Sequence, residues 1–408
     1  MKPAATITEG NLIAAIREAF DGLAATDKNR SFLEQLIQSG LPTTRHEEYK
    51  FTPVTRELEK NLSGLHPGSG DGNFQIPALT GAAVIQIING QPRPFSLPEG
   101  LQLLAVDETE PVSDDAYAVM NAAFRTTAIR IAANGKVETP LHLHYHSSAP
   151  ETGSADFPHV EFIVKDNASL TLVETFSHSG GHTFSCTSFK AIVGASARLD
   201  HLRIQNVPGA WTQVTNSVIR QSENSLVNTF VLTSDGNLIR NNFTLSIDGS
   251  AAEGNLLGLY LLKGNTLADN HTVVDHRKPG ANSNELYKGV MQGRSKGVFN
   301  GKIFVRPDAQ KTNAFQSNRN IVLSDAASVN TKPQLEIWAD DVKCSHGCTT
   351  GQLDEEGIFY LMSRGIDRQT ATAMMLDAFA GEVTERIQSE ALRNFIAGTV
   401  AETIAALK

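Results

Sequence analysis

The sequence of 408 residues contains little cysteine and no long hydrophobic run. Its three cysteines, Cys186, Cys344 and Cys348, are too few and too unevenly spaced for a disulfide framework, which favours a reducing compartment. Fully apolar runs stay short, as at 259–262, whereas a membrane-spanning helix needs about 20 such residues. The first residues also lack the basic start and apolar stretch of a secretory signal. We therefore expect a cytoplasmic protein without a membrane partner.

Positive charge is in short supply as well. Lys and Arg total 35 against 44 Asp and Glu, which gives a net charge of −9. This sign is opposite to that of a phosphate-neutralising surface, so nucleic acid is not expected as a partner. A hydrophobic fraction of 40% together with 32 glycines is ordinary for a globular protein and excludes disorder as the main state. The length predicts two or three domains or one elongated domain.

The motifs of several common enzyme classes are also missing. The sequence has no Gly-x-Ser-x-Gly, no His-Glu-x-x-His and no Gly-x-Gly-x-x-Gly after a strand. The string nearest to a phosphate-binding loop, at 296–303, has Lys where the loop needs Gly and Ile where it needs Ser or Thr. We therefore expect no ATP hydrolysis by the chain itself, and the sequence predicts neither a hydrolase nor a dehydrogenase.

Helical spacing of apolar residues marks the start of the chain. Two helices are predicted there, because Leu12, Ile16 and Phe20 share one face and the string 31–34, Ser-Phe-Leu-Glu, fits a capping box. Gly, Pro, Ser and Asn are then concentrated at 63–73, which is typical of a flexible connection. We assign 1–73 to an N-terminal helical region with its linker.

Short alternating runs separated by turn residues fill the segment 74–350 and indicate strands. No helix-length apolar stripe interrupts 162–338, which argues against a sheet of βαβ units and leaves a sandwich, a barrel or a β-helix. Turn-plus-strand units recur, for example at 167–170 and 195–199, but their spacing is irregular. On this ground a solenoid is favoured only slightly over a sandwich.

Helical periodicity returns in the segment 351–408. Asp367 is placed to cap a long amphipathic stretch that runs to Leu407. The segment carries more apolar bulk than so small a unit can bury internally, at Phe359, Met362, Met374, Met375, Phe379 and Phe395. We expect it to dock on the β-region or on a partner.

A row of histidines is the first candidate for chemistry. On a strand, His142, His144 and His146 share one face and lie about 6.6–7 Å apart. The string faintly resembles the first metal motif of cupins, but no Glu follows at the spacing of that motif. A polar or aromatic structural ladder is the favoured interpretation, and a cupin-like metal-dependent enzyme using the three histidines is the alternative.

The second candidate is the string Lys343-Cys-Ser-His-Gly-Cys348. It places two thiols and an imidazole within five positions, a mixture that soft metals and iron–sulfur clusters accept. Three donors from one segment leave a site incomplete, so a distant residue or a second protein would have to complete it. The alternative is that the cysteines are structural and Gly347 serves a turn.

Several ordered strings together resemble the SufB/SufD family of iron–sulfur assembly scaffolds. Within that family, 346–354, His-Gly-Cys-Thr-Thr-Gly-Gln-Leu-Asp, is similar to the SufD branch. Cys348 departs from the family, which usually has Ala there, and it is either a neutral replacement or an extra thiol. The strings that carry the resemblance are Arg45-His-Glu-Glu-Tyr-Lys-Phe-Thr52, Asn121-Ala-Ala-Phe124, Asp269-Asn-His271, His276, Ser283-Asn-Glu-Leu286, Gly297-Val-Phe-Asn-Gly-Lys-Ile-Phe-Val305, Ala309-Gln-Lys-Thr312, Gln316-Ser-Asn318, Pro333-Gln-Leu-Glu-Ile337, Asp340-Asp-Val-Lys-Cys-Ser-His-Gly347 and Phe359-Tyr-Leu-Met-Ser-Arg-Gly365.

The resemblance implies a mainly β fold, a right-handed parallel β-helix core between N-terminal and C-terminal α-helical regions. It also implies that the chain pairs with SufB through the β-helices and binds the ATPase SufC through its C-terminal helices. Such a complex assembles nascent iron–sulfur clusters. ATP hydrolysis would then belong to SufC, and this chain would be a non-catalytic scaffold subunit.

The resemblance further implies functional residues. His346, with Cys344 as the second candidate, is expected to ligate a transient iron–sulfur cluster shared with SufB, and no cofactor is expected in the isolated chain. A purely structural partner of SufB that contributes no ligand is an open alternative, as is a homodimer of the isolated chain. The residues expected to bind SufC are Phe359, Tyr360, Met362, Arg364, Met375 and Phe379.

Overall fold

The computed structural model describes residues 9–62, 65–68, 74–106, 110–149 and 153–407. The predicted connection at 63–73 lies mostly outside these ranges. The helices are α1 (Glu9–Asp21), α2 (Asp27–Ser39), α3 (Val54–Asn61), α4 (Ala116–Phe124), α5 (Glu355–Ser363), α6 (Arg368–Thr384) and α7 (Glu390–Ala406), with a 3-10 turn at Glu47–Tyr49. The strands are β1 (Ala83–Ile88), β2 (Gln91–Pro92), β3 (Leu101–Leu104), β4 (Ile129–Ala133), β5 (Leu141–Ala149), β6 (Ser154–Asp156), β7 (His159–Val164), β8 (Ser169–Gly180), β9 (Thr183–Val193), β10 (Arg198–Asn206), β11 (Trp211–Gln221), β12 (Leu226–Asp235), β13 (Leu238–Ile247), β14 (Glu253–Leu262), β15 (Leu267–His276), β16 (Asn282–Met291), β17 (Lys296–Val305), β18 (Asn313–Val322), β19 (Ser328–Ile337) and β20 (Lys343–Gly351).

The strands form two sheets that face each other. Sheet I has the order β2-β1-β5-β8-β10-β12-β14-β16-β18-β20, and sheet II runs β19-β17-β15-β13-β11-β9-β7-β4-β3. From β7 onward successive strands alternate between the sheets, and each pairs in parallel with the strand two places along. The result is a parallel β-solenoid core of about eight turns with helices at both ends of the chain. The mainly β fold and the β-helix core are therefore confirmed, and the sandwich is excluded.

In-register pairing builds the core from rows of aliphatic side chains. Ile219, Leu245, Val274 and Ile303 occupy matching positions on four successive strands of sheet II, and all are buried between the sheets. Because parallel pairing stacks the same face of each strand, one inward position recurs in every turn. Burying each such side chain contributes roughly 1.5–3 kcal/mol.

One of the loops between strands has the same backbone conformation in each successive coil of the solenoid, and L-amino acids rarely adopt that conformation. The residue at this position has a φ between 54° and 72°, and the next residue is small and buried. The backbone N–H of each such residue donates to a carbonyl of the following turn of the solenoid. The position recurs every 27–31 residues, at Asn167, Ser196, Asn224, Ala251, Gly280 and Lys311.

The N-terminal helices cover the outer face of sheet II. Leu12, Ile16 and Phe20 of α1 pack in one apolar cluster with Phe124 of α4 and with Phe184 of β9. The helix α4 lies inside the segment 74–350, yet it belongs to this helical layer. The predicted capping box at 31–34 is wrong: Ser31 lies within α2, and Thr26 with Asn29 caps that helix instead.

The C-terminal helices α6 and α7 cover the outer face of sheet I. Leu376 and Ile396 are buried against Leu232 and Leu259 of the solenoid. Asp367 caps α6 as predicted. The single long helical stretch from Asp367 to Leu407 is interrupted, because α6 ends at Thr384 and Ser389 caps a separate helix.

Candidate functional site

The solenoid ends in an exposed strand that carries the soft donors. β20 and β19 are the terminal strands of their sheets, so each pairs on one side within the described part of the chain. Cys344, His346 and Cys348 occupy alternate positions of β20, so they share the face that continues the interior of the solenoid. We call this surface, formed by β19 and β20, the open end.

The three donors differ in exposure. Cys344 is half-buried and packs against the core, whereas His346 and Cys348 are exposed. Burial raises the pKa of the Cys344 thiol, and a hydrogen bond with the backbone of Ala314 opposes that effect. A thiol with a raised pKa stays protonated at neutral pH, so Cys344 would have to lose its proton to bind a metal.

Strand geometry keeps these donors apart. The backbones of Cys344 and Cys348 are four residues, or about 13 Å, apart along the strand, whereas two sulfur ligands of one metal ion, each about 2.3 Å from it, are separated by less than about 4.6 Å. Among the described residues no group of three or more His, Cys, Asp or Glu side chains is arranged to hold a metal ion. The row can therefore hold a metal centre only with ligands from elsewhere or with a cargo larger than one ion.

A buried polar layer lies directly behind the row. Gln316 and Asn318 on β18 are register partners of His346 and Cys348. Gln316 Nε2 donates to Glu285 Oε2 at 2.6 Å, and Asn318 Nδ2 donates to the hydroxyl of Tyr260 at 3.0 Å. These side chains are all buried. The sequence alone gave no indication that polar groups line the interior here.

The residues expected to bind an ATPase divide into two groups. Phe359, Tyr360 and Met362 of α5 are exposed by 72%, 58% and 41%, and the Arg364 guanidinium lies 5.3 Å from the Tyr360 ring centroid. The helix α5 packs against α6 and has no comparable contact with the sheets. It therefore presents an apolar surface with an aromatic and a basic side chain at its centre.

Met375 and Phe379 of α6 lie elsewhere. Both are half-buried, and Phe379 packs against the apolar cluster between α6, α7 and sheet I. The Lys288 ammonium on β16 lies 4.2 Å from the Phe379 ring centroid. Phe379 thus contributes to the attachment of α6 to the solenoid, a role that the sequence did not separate from partner binding.

The histidine row on β5 forms a hydrogen-bonded ladder. The Thr175 hydroxyl lies 2.7 Å from His142 Nε2 and 2.8 Å from His144 Nδ1, and the Ser177 hydroxyl lies 2.9 Å from His144 Nε2 and 2.8 Å from His146 Nδ1. Burial lowers the pKa of His142 to about 4 and that of His144 to about 3, so both are neutral. Their ring nitrogens form hydrogen bonds with hydroxyl groups of β8, as expected for a structural ladder.

The N-terminal string 45–52 docks on sheet II through charged side chains. Arg240, which is buried, forms an ion pair with Asp269 at 2.6 Å, donates to the backbone carbonyl of Glu48 at 2.8 Å and lies 3.8 Å from the Tyr49 ring centroid. Hydrogen bonds from His271 and Lys302 lower the pKa of Glu48 to about 2. These contacts attach the N-terminal region to the solenoid.

Comparison with known proteins agrees with this architecture. A family model described as "SUF system FeS cluster assembly, SufBD core domain" matches residues 145–379. The chain is 30% identical to an iron–sulfur cluster assembly SufBD family protein of Synechocystis sp. over 404 residues, covering 90% of this chain and 88% of that protein. It is 28% identical to the iron–sulfur cluster assembly protein SufD of Escherichia coli, with 94% of each chain covered, and 26% identical to SufD of Bacillus subtilis, with 72% and 67% covered.

The solenoid and the matched region define a β-solenoid protein of iron–sulfur cluster assembly. The chain belongs to the SufB/SufD family, and within that family it is most like SufD. Members of this family are assembly scaffolds, so the chain has a role in building iron–sulfur clusters. No helix in the described ranges is both long and apolar enough to cross a lipid bilayer.

Proposed function

We propose that the chain is the SufD-like subunit of a cytoplasmic SufB–SufC–SufD scaffold complex in which nascent clusters are assembled. In this proposal the open end pairs with the β-helix of SufB, α5 binds SufC, and His346 ligates a transient cluster together with SufB. The observation that carries the proposal is the coincidence of unpaired strand edges and soft donor side chains at one end of the solenoid.

A strand edge that pairs with no other described strand supports the SufB part of the proposal. β19 and β20 present backbone donors and acceptors that a partner strand can use, and such edges are a common site of strand addition. Phe315 and Trp338 beside them are exposed by 44% and 49%. A partner seated on this end would cover the edges and the exposed rings, and it would also supply the ligands that Cys344 and His346 lack.

The exposed face of α5 supports the SufC part. Interface hot spots are enriched in aromatic and arginine side chains that become buried on binding. Phe359, Tyr360 and Arg364 provide this chemistry on a helix that is attached to the rest of the chain through α6. The chain itself has no phosphate-binding loop, so the nucleotide chemistry would reside in that partner.

Co-expression with SufB and SufC tests the proposal. The full chain should be recovered with both partners, and a truncation after Gly351 should lose SufC while it keeps SufB. Native mass spectrometry of the purified complexes gives the stoichiometry. Retention of SufC by the truncated chain would place that contact on the solenoid, and a homodimer with no exchange for SufB would contradict the pairing.

A further inference from the structure

A column of side chains connects the open end with a buried acid. Glu285 on β16, Gln316 on β18 and His346 on β20 are successive register partners on three adjacent strands of sheet I. Strands lie about 4.8 Å apart, so the backbones of Glu285 and His346 are separated by about 9.6 Å. Glu285 and Gln316 are each only 3% exposed, and the hydrogen bond of 2.6 Å between them fixes their side chains along the column.

The carboxyl group of Glu285 forms no ion pair with any of the described residues. Leu256 on β14 and Thr272 on β15 face it, and neither is charged. Sheet II contributes Gly301 on β17, where a Cβ atom would lie 2.2 Å from Gln316 Nε2, so a side chain at that position would displace the amide. The titratable neighbour on its own strand is Tyr287, whose hydroxyl stays protonated because burial raises its pKa. The titratable group on the β20 side is His346, one strand beyond Gln316.

Two further observations concern protonation and hydration. Burial raises the pKa of Glu285 to about 7, and the hydrogen bond from Gln316 opposes that effect, so the carboxyl is about half protonated at neutral pH. The amide oxygen Oε1 of Gln316 is buried and has no hydrogen-bond partner among the described residues. Buried polar atoms of this kind are commonly satisfied by an internal water.

We propose that Glu285 is a proton-exchanging residue that balances the charge of the cargo at the open end, a role that rests on the proposed function of His346. At neutral pH the carboxyl is about half protonated when the open end is empty, and an anionic cluster there favours the protonated form. The carboxyl releases the proton when a metal cation binds at His346. In that step the O–H bond of the carboxyl breaks, the proton passes to solvent, and no electron moves.

The physical cause is the field of the bound ion. The interaction of two charges falls off with their separation and with the local dielectric constant. Glu285 and Gln316 are buried, so the dielectric constant is low along the inner part of this column. A cation favours the ionised form of a nearby carboxyl and lowers its pKa. Because the pKa of Glu285 already lies near 7, a modest field decides its charge. By gaining or losing its proton, Glu285 would make the electrostatic free energy of binding similar for cationic iron and for an anionic cluster at the same site.

The test uses the full chain in its complex with SufB, which supplies the remaining ligands in the proposed function, and Co²⁺ as the probe. Binding is followed by the visible absorption of Co²⁺, and the protons released are counted by calorimetry in two buffers of different ionisation enthalpy at pH 7. Glu285→Gln should release about half a proton fewer per Co²⁺ than the wild-type chain. Glu253→Gln, which removes an exposed carboxyl from β14 of the same sheet, should match the wild type. Equal proton release by Glu285→Gln and the wild type would overturn the proposal.

Two controls separate this inference from the proposed function. Loss of Co²⁺ binding in the complex that carries His346→Ala supports the site itself, whereas unchanged binding by that complex, or no binding by the wild-type complex, overturns the site and the inference together. An infrared measurement on the wild-type chain avoids dependence on the folding of Glu285→Gln. The carbonyl band of the protonated carboxyl should weaken when Co²⁺ is added at pH 7, and an unchanged band would contradict the inference even if His346 binds the ion.

Discussion

Lys288 on β16 forms an ion pair with Glu382 on α6, and the lysine side chain is only 2% exposed. The ammonium also donates to the backbone carbonyl of Phe379 at 2.9 Å. Arg319 on β18, the register partner of Lys288, reaches the same carboxylate at 3.1 Å. Glu382 thus ties α6 to the two strands that lie directly behind the open end.

Removing this carboxylate should therefore cost stability. Glu382→Gln leaves the buried ammonium of Lys288 without its counter-charge, and breaking a fully buried pair costs about 3–5 kcal/mol. Because Glu382 is 38% exposed, water screens part of the interaction, and we expect a loss of roughly 1–2 kcal/mol in urea unfolding. Glu385→Gln, an exposed position on the same segment, should change the free energy of unfolding by less than about 0.5 kcal/mol.

The stability of the chain should depend on pH through Glu285. Its pKa is about 7 in the folded chain against 4.5 for an ordinary glutamate, so between these values the folded chain binds more protons than the unfolded one. The contribution of Glu285 to stability therefore falls as pH rises from about 4.5 to 7 and is constant above that range. Glu285→Gln removes this loss and should be the more stable protein by roughly 2–3 kcal/mol at pH 8, with little difference at pH 4.5.

Denaturant titrations at both pH values measure this effect. Glu253→Gln serves as the control, because that carboxyl is exposed. A difference between Glu285→Gln and the wild type that is the same at pH 4.5 and at pH 8 would show that the carboxyl is not titrating in this range.

The repeated turn offers a test of the solenoid itself. Ala251 has a φ of 54°, a conformation that costs a residue with a Cβ atom about 1–2 kcal/mol relative to the ordinary helical region. Ala251→Gly should therefore raise the free energy of unfolding by up to about 1 kcal/mol, after the larger chain entropy of glycine is counted. At the buried neighbour Ala252 the same replacement should destabilise. Destabilisation by Ala251→Gly would contradict the assigned turn geometry.

The exposed face of α5 should matter for binding and not for folding. Tyr360 is 58% exposed, so Tyr360→Ala should change the melting temperature little, while SufC binding should weaken by at least tenfold. Met374→Ala on α6, at a position exposed by 46%, is the matched surface control. Isothermal titration with purified SufC measures both variants. A lower melting temperature with unchanged affinity would assign Tyr360 a packing role.

The pattern of short strands in the sequence predicts a β-rich core but does not identify the solenoid repeat. What repeats is a backbone conformation, which the sequence does not show directly. Asn167, Ser196, Ala251 and Lys311 share a φ near 60° but no side-chain chemistry. What recurs in the sequence is the small residue after each of them, at a spacing of 27–31 residues, and that signal could have identified the repeat. The turn-plus-strand units recognised in the sequence lie at different positions within successive coils, so the distance between them is irregular.

At the open end, too, the sequence predicts some features and not others. The alternation of β20 predicts that Cys344 and His346 share a face, and the structure places them so. Glu285 could not be found in this way, because it lies 61 residues earlier in the chain and its role depends on which strands become neighbours. The Lys288–Glu382 ion pair could not be predicted from the sequence for the same reason, because only the docking of α6 brings the two side chains together.

The most direct test of the central claim is the cluster content of the complex with His346→Ala. The variant chain is co-expressed with SufB and SufC, purified anaerobically, and assayed for iron and acid-labile sulfide per complex, with native mass spectrometry to verify assembly. Ser345→Ala, an exposed change on the opposite face of β20, is the control. The account predicts an intact complex that has lost most of its cluster in His346→Ala alone. Full iron and sulfide content in an intact His346→Ala complex would contradict it.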